Sequence, residues 1–454
     1  MKTIVILGAG ESGTGAALLA VKKGYQVFVS DSSTIGSAYK HQLTTHNIPF
    51  EEKQHTWEKI QAAHEVVKSP GIPNHTPIIQ AIQQAGIPII DEIAFAMRYT
   101  KATLIGITGS NGKTTVTHLV HHLLQQAGLD VGIAGNLGES FAKKLWQQED
   151  HSYYVLELSS FQLEHIHHCR LHVACLLNIT PDHLDRYGYQ MEKYIAAKQN
   201  IAYNMTADDV LIYNDDDAHV PQCVSRLGGS NLPTTCPISL KRHAHESAYL
   251  QGSTIYFHHQ GHNFQVPVAS IPLQGNHNIF NAMTAGLVAT CLHIPSEAII
   301  QGLQTFKGLP HRIELVADLH GIKFYNDSKA TNVAAAMVAL QSFEQPIVWI
   351  AGGYDKGNDY TALQPIVRGK VKTLIALGKD NTSIKQAFAD GDIPIYDTNA
   401  MEEAVTRAYQ AAVPSDIVLL SPACASFDLF KNFEDRGQQF KDAIHAALLQ
   451  SKKP

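Results

Sequence analysis

The chain has 454 residues, 44% of them apolar and 17% charged, with a formal net charge of −6. That length exceeds what one hydrophobic core fills and predicts roughly three domains of about 150 residues each. The composition is that of a globular chain, and with no lysine or arginine block it lacks the electrostatic footprint of a nucleic-acid or anionic-membrane binder, so a small-molecule partner is expected.

No apolar run approaches the roughly 18 residues a membrane helix needs. The chain moves from Met1-Lys2-Thr3 directly into the apolar run 4–7 without a secretory leader pattern, so a reducing cytoplasm is expected. The six cysteines, Cys169, Cys175, Cys223, Cys236, Cys291 and Cys424, are dispersed without a C-x-x-C pair. Neither a zinc site nor a disulfide framework is indicated by that spacing. The 25 histidines, often adjacent as in His121-His122, His167-His168 and His258-His259, read first as solvated surface and second as metal chemistry.

Along the first segment, short apolar strands at 4–7, 26–30, 66–68 and 87–90 alternate with amphipathic stretches, the rhythm of a parallel βαβ sheet. Gly8-Ala-Gly10-Glu-Ser-Gly13 matches G-x-G-x-x-G between a strand and a helix, and Asp31 closes the next strand where a ribose-binding acid would stand. Alone, this predicts a dinucleotide enzyme. Ser69-Pro70-Gly71-Ile72-Pro73 predicts a tight loop after a strand, at the same ligand edge.

A second unit begins near Phe95. Its first strand, 103–108, runs into Gly106-Ile-Thr-Gly109-Ser110-Asn111-Gly112-Lys113-Thr114-Thr115 and then a helix over 114–127. This is a phosphate cradle: glycines turn backbone N–H groups onto phosphate oxygens, the helix N-terminus adds positive potential, Lys113 supplies a cation, and Thr114 offers a hydroxyl to Mg²⁺. The strict nucleotide-loop pattern asks for glycine where this chain has Ile107, so the loop is a variant. A glycine-rich turn with an incidental Gly-Lys-Thr competes, and the strand-loop-helix context disfavours it.

The strand 153–158 brings Glu157 to the carboxyl edge of the sheet, where a carboxylate suits Mg²⁺. The strand 173–178 delivers Asn178-Ile-Thr-Pro-Asp182-His183-Leu-Asp185-Arg186 to the same edge, and residues 237–272 read as short strands and hairpins. Asn276-His277-Asn278-Ile-Phe-Asn281 opens a helix towards Leu292, and a second helix covers 296–305. After a linker at 307–312 the βα rhythm restarts with strands at 323–326, 346–351, 373–377 and 417–420. Polar loops follow three of them, at 327–332, 352–357 and 421–427, which is where a ligand face belongs.

Read together, these segments closely resemble the Mur ligase family over essentially the whole chain. Gly109 to Thr115, Asn178 to Arg186, His277 to Asn281 and Pro310-His311-Arg312 look like marks of the wider family, while Asn326 to Asn332 and Leu420 to Asp428 resemble its D-glutamate-adding branch. The resemblance implies an α/β fold of three domains: a Rossmann-like UDP-substrate domain (1–94), a central P-loop ATPase-like domain with a mixed sheet and helices (95–307), and a Rossmann-like amino-acid domain (308–454). It implies that D-glutamate joins UDP-N-acetylmuramoyl-L-alanine through an acyl phosphate, with ATP converted to ADP and phosphate and two Mg²⁺ ions present.

By the resemblance, Gly109, Ser110, Asn111, Gly112, Lys113, Thr114, Thr115, Asn278, Asn281, Arg312 and Asp327 contact ATP. Thr114 and Glu157 hold one Mg²⁺; His183 and Lys198 serve the second, Lys198 as a CO₂-derived carbamate. On residue type alone a helix lysine beside Mg²⁺ reads as surface, since an ammonium repels the ion; carbamylation turns it into an anionic oxygen ligand. Lys113, Glu157, His183 and Lys198 are thereby the implied catalytic set. Gly10, Glu11, Ser12, Asp31, Ser32, Gly71, Asn136 and His183 match UDP-substrate positions. Thr331, Lys356, Ser426 and Phe433 match the D-glutamate site, with Lys329 supporting it. A monomer that binds no nucleic acid and does not insert into a membrane is expected, with domain closure bringing ATP and acceptor residues together.

Two rivals remain at this level. The N-terminal glycine signature with Asp31 favours an NAD-dependent oxidoreductase, which leaves the second phosphate loop unexplained. A nucleotide-sensing protein without catalysis leaves Lys113 and the metal ligands unexplained.

Overall fold

The structure, a computed structural model, describes residues 2–148, 150–166, 169–228, 231–241, 245–355, 357–391 and 393–451. It contains three sheets and divides into two compact units, Met1–Ile271 with Phe280–Thr305, and Pro272–Ile279 with Phe306–Pro454.

In the first unit the N-terminal sheet runs Phe50–Glu52, Gln26–Asp31, Thr3–Leu7, Glu65–Lys68, Ile89–Asp91, all parallel. Its central strand is Thr3–Leu7, where Val5 is level with Phe28 on one side and Val66 on the other. The order reverses between Thr3–Leu7 and Glu65–Lys68, which opens a crevice beyond their carboxyl ends. Gly8 and Ser69 face each other there, Ser69 Oγ donating to Gly8 O at 3.4 Å. A Cβ on Gly13 would lie 1.8 Å from Gly8 O, so only glycine lets the following helix, Glu11–Lys22, start this close to the loop.

The second sheet of this unit has nine strands, ordered His262–Pro267, Thr254–His259, Ala248–Gln251, Thr234–Ser239, Val210–Asn214, Val173–Leu176, Thr103–Thr108, Tyr153–Glu157, Val131–Gly135. Thr254–His259 pairs antiparallel with both of its neighbours, and every other pairing in this sheet is parallel. Parallel strands covered on both faces need unbroken apolar runs, and Tyr153–Glu157 and Val173–Leu176 are buried almost throughout. This sheet reverses direction between Thr103–Thr108 and Val173–Leu176, so the loops after those two strands lie side by side.

The two sheets share a core. Phe141, Ala142 and Leu145 pack in one apolar cluster with Ala16, Ala17 and Leu19 of the first helix, and Phe141 meets the Tyr154 ring edge-on at 4.7 Å.

In the second unit the order is Glu314–Leu319, Ile322–Asn326, Ile417–Leu420, Ile347–Ala351, Val371–Leu377, Ile395–Thr398, parallel except for the Glu314–Leu319 edge. Ile347–Ala351 is buried at every position, and the loops after Asn326, Ala351 and Leu420 emerge at neighbouring strand ends. Among the described residues no helix is long and apolar enough to cross a membrane.

Candidate functional site

The phosphate loop leaves the buried strand Thr103–Thr108 and enters the helix Lys113–Gln126, with Thr114 and Thr115 in its first turn. Gly112 caps that helix at φ +85°, and a Cβ there would sit 2.8 Å from Asn281 Oδ1. Alanine would strain the backbone and crowd Asn281.

The neighbouring loop clamps the cradle from the side. Ser110 N donates to Asn178 O at 2.9 Å, Asn111 N donates to Asn178 Oδ1 at 2.8 Å, and Asn178 Nδ2 returns a bond to Asn111 O at 3.0 Å. Ser110 Oγ donates to Thr180 O at 2.9 Å and also meets Tyr194 Oη at 2.9 Å. Asn178 and Tyr194 thus fix the loop's shape. Asn178 stood at the head of a polar motif after a strand, a signal that could have ranked it; Tyr194 carried none.

Two lysines converge on one carbonyl. Lys198 Nζ donates to Gly109 O at 2.8 Å, and Lys113 Nζ donates to the same oxygen and to Ser110 O, each at 2.9 Å. Lys198 is only 1% exposed, on the helix Met191–Gln199. Burial first, and then the charge of Lys113, hold its amine well below the ordinary lysine range, against the pull of Asp182 and Glu157. A fully buried ammonium beside a second one is electrostatically costly.

Glu157 ends its strand 3% exposed, and Asn136 orients it: Asn136 N donates to Glu157 O at 2.8 Å and Asn136 Nδ2 to Oε1 at 3.0 Å. The other carboxylate oxygen, Oε2, is buried and has no hydrogen-bond partner among the described residues. An orphaned, oriented anionic oxygen beside a phosphate cradle fits a hard divalent cation. His183 lies exposed on the loop after Val173–Leu176, its Nε2 3.6 Å from Asp182 Oδ2 and its ring edge-on to Phe161 at 5.2 Å.

At the N-terminal crevice, Asp31 Oδ2 accepts Ala9 N at 2.7 Å and Oδ1 accepts Ser33 N at 2.8 Å, so this carboxylate shapes the glycine loop itself. Gly10 caps the first helix, with Ser12 in its first turn and Ser32 exposed after the next strand. Glu11 Oε1 reaches across to Ser140 N at 3.1 Å and Lys143 Nζ at 3.4 Å. Arg186, stacked 4.0 Å over the Phe161 ring, donates to Gly71 O and Ile72 O at 3.3 and 3.4 Å. The loop after Val173–Leu176 therefore touches both the phosphate cradle and the crevice loop.

Asn278 and Asn281 share the helix Asn276–Cys291; Asn278 Nδ2 donates to Gln274 O at 2.9 Å. In the second unit Asp327 accepts Ser421 Oγ at 2.9 Å and Ile313 N at 3.2 Å, the residue next to Arg312. Burial pushes the Asp327 carboxyl up to about 7, against the pull of those hydrogen bonds and of the Arg312 and Arg436 charges. Thr331 is exposed after the Asn326 strand end, Ser426 is buried after Leu420, and Phe433 opens the long helix Phe433–Ser451 with Lys329 Nζ 3.9 Å from its ring. Lys356 lies outside the described residues.

Arg436 ties these loops together. It is 1% exposed, and its guanidinium donates to Ser328 Oγ at 3.0 Å, Ser328 O at 2.8 Å and Cys424 O at 3.1 Å. Burial lowers its pKa to about 10, which still leaves it charged. In an amphipathic helix an arginine reads as surface, so the sequence carried no signal for it. Replacing Arg436 with methionine keeps the bulk but strands three buried acceptors. The expected cost is roughly 3–5 kcal/mol, read as a lower denaturant midpoint; an unchanged midpoint would remove Arg436 as the brace of these loops.

One sequence expectation needs correction. The dispersed cysteines indicated no zinc-type cluster and the histidine pairs indicated surface, yet Cys236, His259 and Cys291 come together, with His259 only 9% exposed. Cross-strand pairing and helix packing join positions too far apart for a spacing rule.

Comparison with known proteins gives matches along the whole chain. Family models described as Mur ligase MurD-like N-terminal domain, Mur ligase middle domain and Mur ligase glutamate ligase domain match residues 2–91, 107–289 and 311–424. The UDP-N-acetylmuramoylalanine–D-glutamate ligase of Christiangramia forsetii is 46% identical, over 98% of this chain and 99% of its own. Its counterpart in Bacteroides thetaiotaomicron is 47% identical, with 98% and 99% covered. Among solved structures, the MurF ligase of Thermotoga maritima in complex with ADP shares the fold at 15% identity, with a TM-score of 0.63 over 94% of this chain and 96% of that one.

Proposed function

The chain belongs to the Mur ligase family, and from that premise we propose how its own residues carry the reaction. It is an ATP-dependent amide-forming ligase that adds D-glutamate to UDP-N-acetylmuramoyl-L-alanine in peptidoglycan synthesis. The L-alanyl carboxylate oxygen attacks the γ-phosphorus of ATP and ADP leaves. The D-glutamate amine then attacks the acyl-phosphate carbonyl, loses a proton, and expels phosphate.

Both steps concentrate negative charge, so the site's task is to hold cations and N–H groups in place. Lys113 exchanges its bonds to Gly109 O and Ser110 O for β- and γ-phosphate oxygens, and the backbone N–H groups from Gly109 to Thr115 surround the phosphates. Asn278, Asn281, Arg312 and Asp327 receive the rest of the nucleotide. Thr114 and Glu157 would hold one Mg²⁺, and His183 with a carbamylated Lys198 the other; bound there, the ions supply positive charge to the phosphoryl oxygens.

The observation that carries this reading is the convergence of Lys198 and Lys113 on Gly109 O, near Glu157 and its unpartnered oxygen. Carbamylation uses the unprotonated amine: its nitrogen would bond to the carbon of CO₂, a proton would depart, and the side chain would end in an anionic oxygen pair. Asn136 supports the reading as a positioning residue for Glu157. Asn136→Ala is expected to raise the Mg²⁺ concentration for half-maximal ADP formation about 10–100-fold; an unchanged Mg²⁺ dependence would free Asn136 from that role.

Gly10, Glu11, Ser12, Asp31, Ser32 and Gly71 line the N-terminal crevice suited to the UDP moiety, with the loop N–H groups facing diphosphate. Thr331, Lys356, Ser426 and Phe433 would receive D-glutamate, hydroxyls and a cation on its two carboxylates. ATP use and six free cysteines support a cytoplasmic site of action, and we assign a monomer as the working form. Phosphate release with UDP-N-acetylmuramoyl-L-alanine, ATP and Mg²⁺ should require D-glutamate. Equal release with L-glutamate or a diamino acid would overturn the acceptor assignment, and NADH turnover would revive the oxidoreductase.

A further inference from the structure

The strand Thr234–Ser239 carries Cys236, the adjoining hairpin strand Thr254–His259 ends in His259, and the helix Asn276–Cys291 ends in Cys291. One ligand atom from each, two thiol sulfurs and an imidazole nitrogen, lie within 4.8 Å of one another, and Cys236 Sγ is 3.4 Å from His259 Nδ1. Tetrahedral zinc, with bonds of about 2.3 Å to sulfur and about 2.0–2.1 Å to nitrogen, spaces such ligands roughly 3.6–3.8 Å apart. The Cys236–His259 pair is already close to that spacing, and the Cys291 sulfur lies within 4.8 Å of both.

The imidazole is about nine-tenths buried, and its Nδ1 is turned toward the Cys236 thiol at 3.4 Å. Burying an imidazole with a thiol as its polar neighbour is unfavourable on hydrogen bonding alone, because sulfur is a weak partner. Cys236 is also buried, whereas Cys291 is partly exposed and gives an ion a way in. We infer that Cys236, His259 and Cys291 form a site for a zinc-class ion, separate in donor chemistry from the oxygen-rich Mg²⁺ positions.

Two thiolates and an imidazole select zinc over magnesium, which takes oxygen ligands and gives up its water reluctantly. The ion would tie a parallel strand, the antiparallel hairpin and the end of a helix into one brace. That helix carries Asn281, whose side chain lies against the Gly112 position of the phosphate loop. The site is structural in this reading: it holds the nucleotide-facing helix to the sheet.

The test is a Co²⁺ titration of the reduced, metal-free full chain under saturating Mg²⁺. One equivalent should produce an intense thiolate-to-cobalt charge-transfer band, which Zn²⁺ then abolishes. Zn²⁺ should also protect two thiols from alkylation in the wild-type chain, a readout that needs no variant. Cys236→Ser and Cys291→Ser should each lose most of the band, while His183→Ala should keep it. Absence of the band in the wild-type chain, or its retention in both cysteine variants, would overturn the assignment.

Discussion

Lys198→Ala is expected to slow ADP formation on the order of 1,000-fold while leaving the chain folded. The fold should survive because Lys113 Nζ still donates to Gly109 O, so the buried carbonyl keeps a partner when Lys198 is gone. The rate should fall because, on the carbamate proposal, the variant loses the amine that would supply an anionic oxygen ligand to the second ion. Formate or acetate, small enough for the space left by the side chain, should return part of the activity to Lys198→Ala and none to the parent chain. Full activity in the variant would remove Lys198 from the site; a loss without carboxylate rescue would point to its hydrogen bond to the loop instead.

Lys113→Ala is expected to lower kcat about 100- to 1,000-fold. Lys113 spans the loop, bonded to Gly109 O and Ser110 O, and in the proposed role the charge it would offer the leaving ADP and the transferring phosphoryl group grows in value as the bonds change. UDP-substrate affinity should be unaffected, since the crevice proposed for it lies at the Thr3–Leu7 and Glu65–Lys68 strand ends. A variant that loses UDP-substrate binding but turns over normally at saturation would contradict this division of labour.

The α/β rhythm was legible because each parallel strand, buried on both faces, appears as an unbroken apolar run such as Ile347–Ala351, which βα loops then punctuate with glycine and proline. Strands at sheet margins were harder. Phe50–Glu52 is three residues with two acids, and Glu314–Leu319 is an only partly buried edge, so neither shows the apolar run that marks a central strand. Val131–Gly135 has glycine at two of its five positions and so shows no unbroken apolar run.

The candidate site residues to which the sequence points by position stand at strand ends or on the glycine-rich and polar segments that follow them: Gly109 to Thr115, Glu157, Asp182-His183 and Asp327. Lys198 was legible only through the family resemblance, because a helix lysine is ordinarily solvated and nothing local marks it as 1% exposed. Tyr194 and Arg436 act through contacts with residues 84 and 108 positions away, Ser110 and Ser328. Such partners are set by tertiary packing and leave no mark in a linear pattern. The same holds for the Cys236, His259 and Cys291 cluster.

The central proposal is that one site activates a carboxylate with ATP and delivers it to an amine. UDP-N-acetylmuramoyl-L-alanine labelled with ¹⁸O in its alanyl carboxylate, incubated with ATP, Mg²⁺ and D-glutamate, tests it directly. The attacking carboxylate oxygen stays with phosphorus when the amine displaces phosphate, so one ¹⁸O should appear in each phosphate released, together with a product heavier by one glutamyl unit. Unlabelled phosphate, or ATP cleavage without that product, would contradict it.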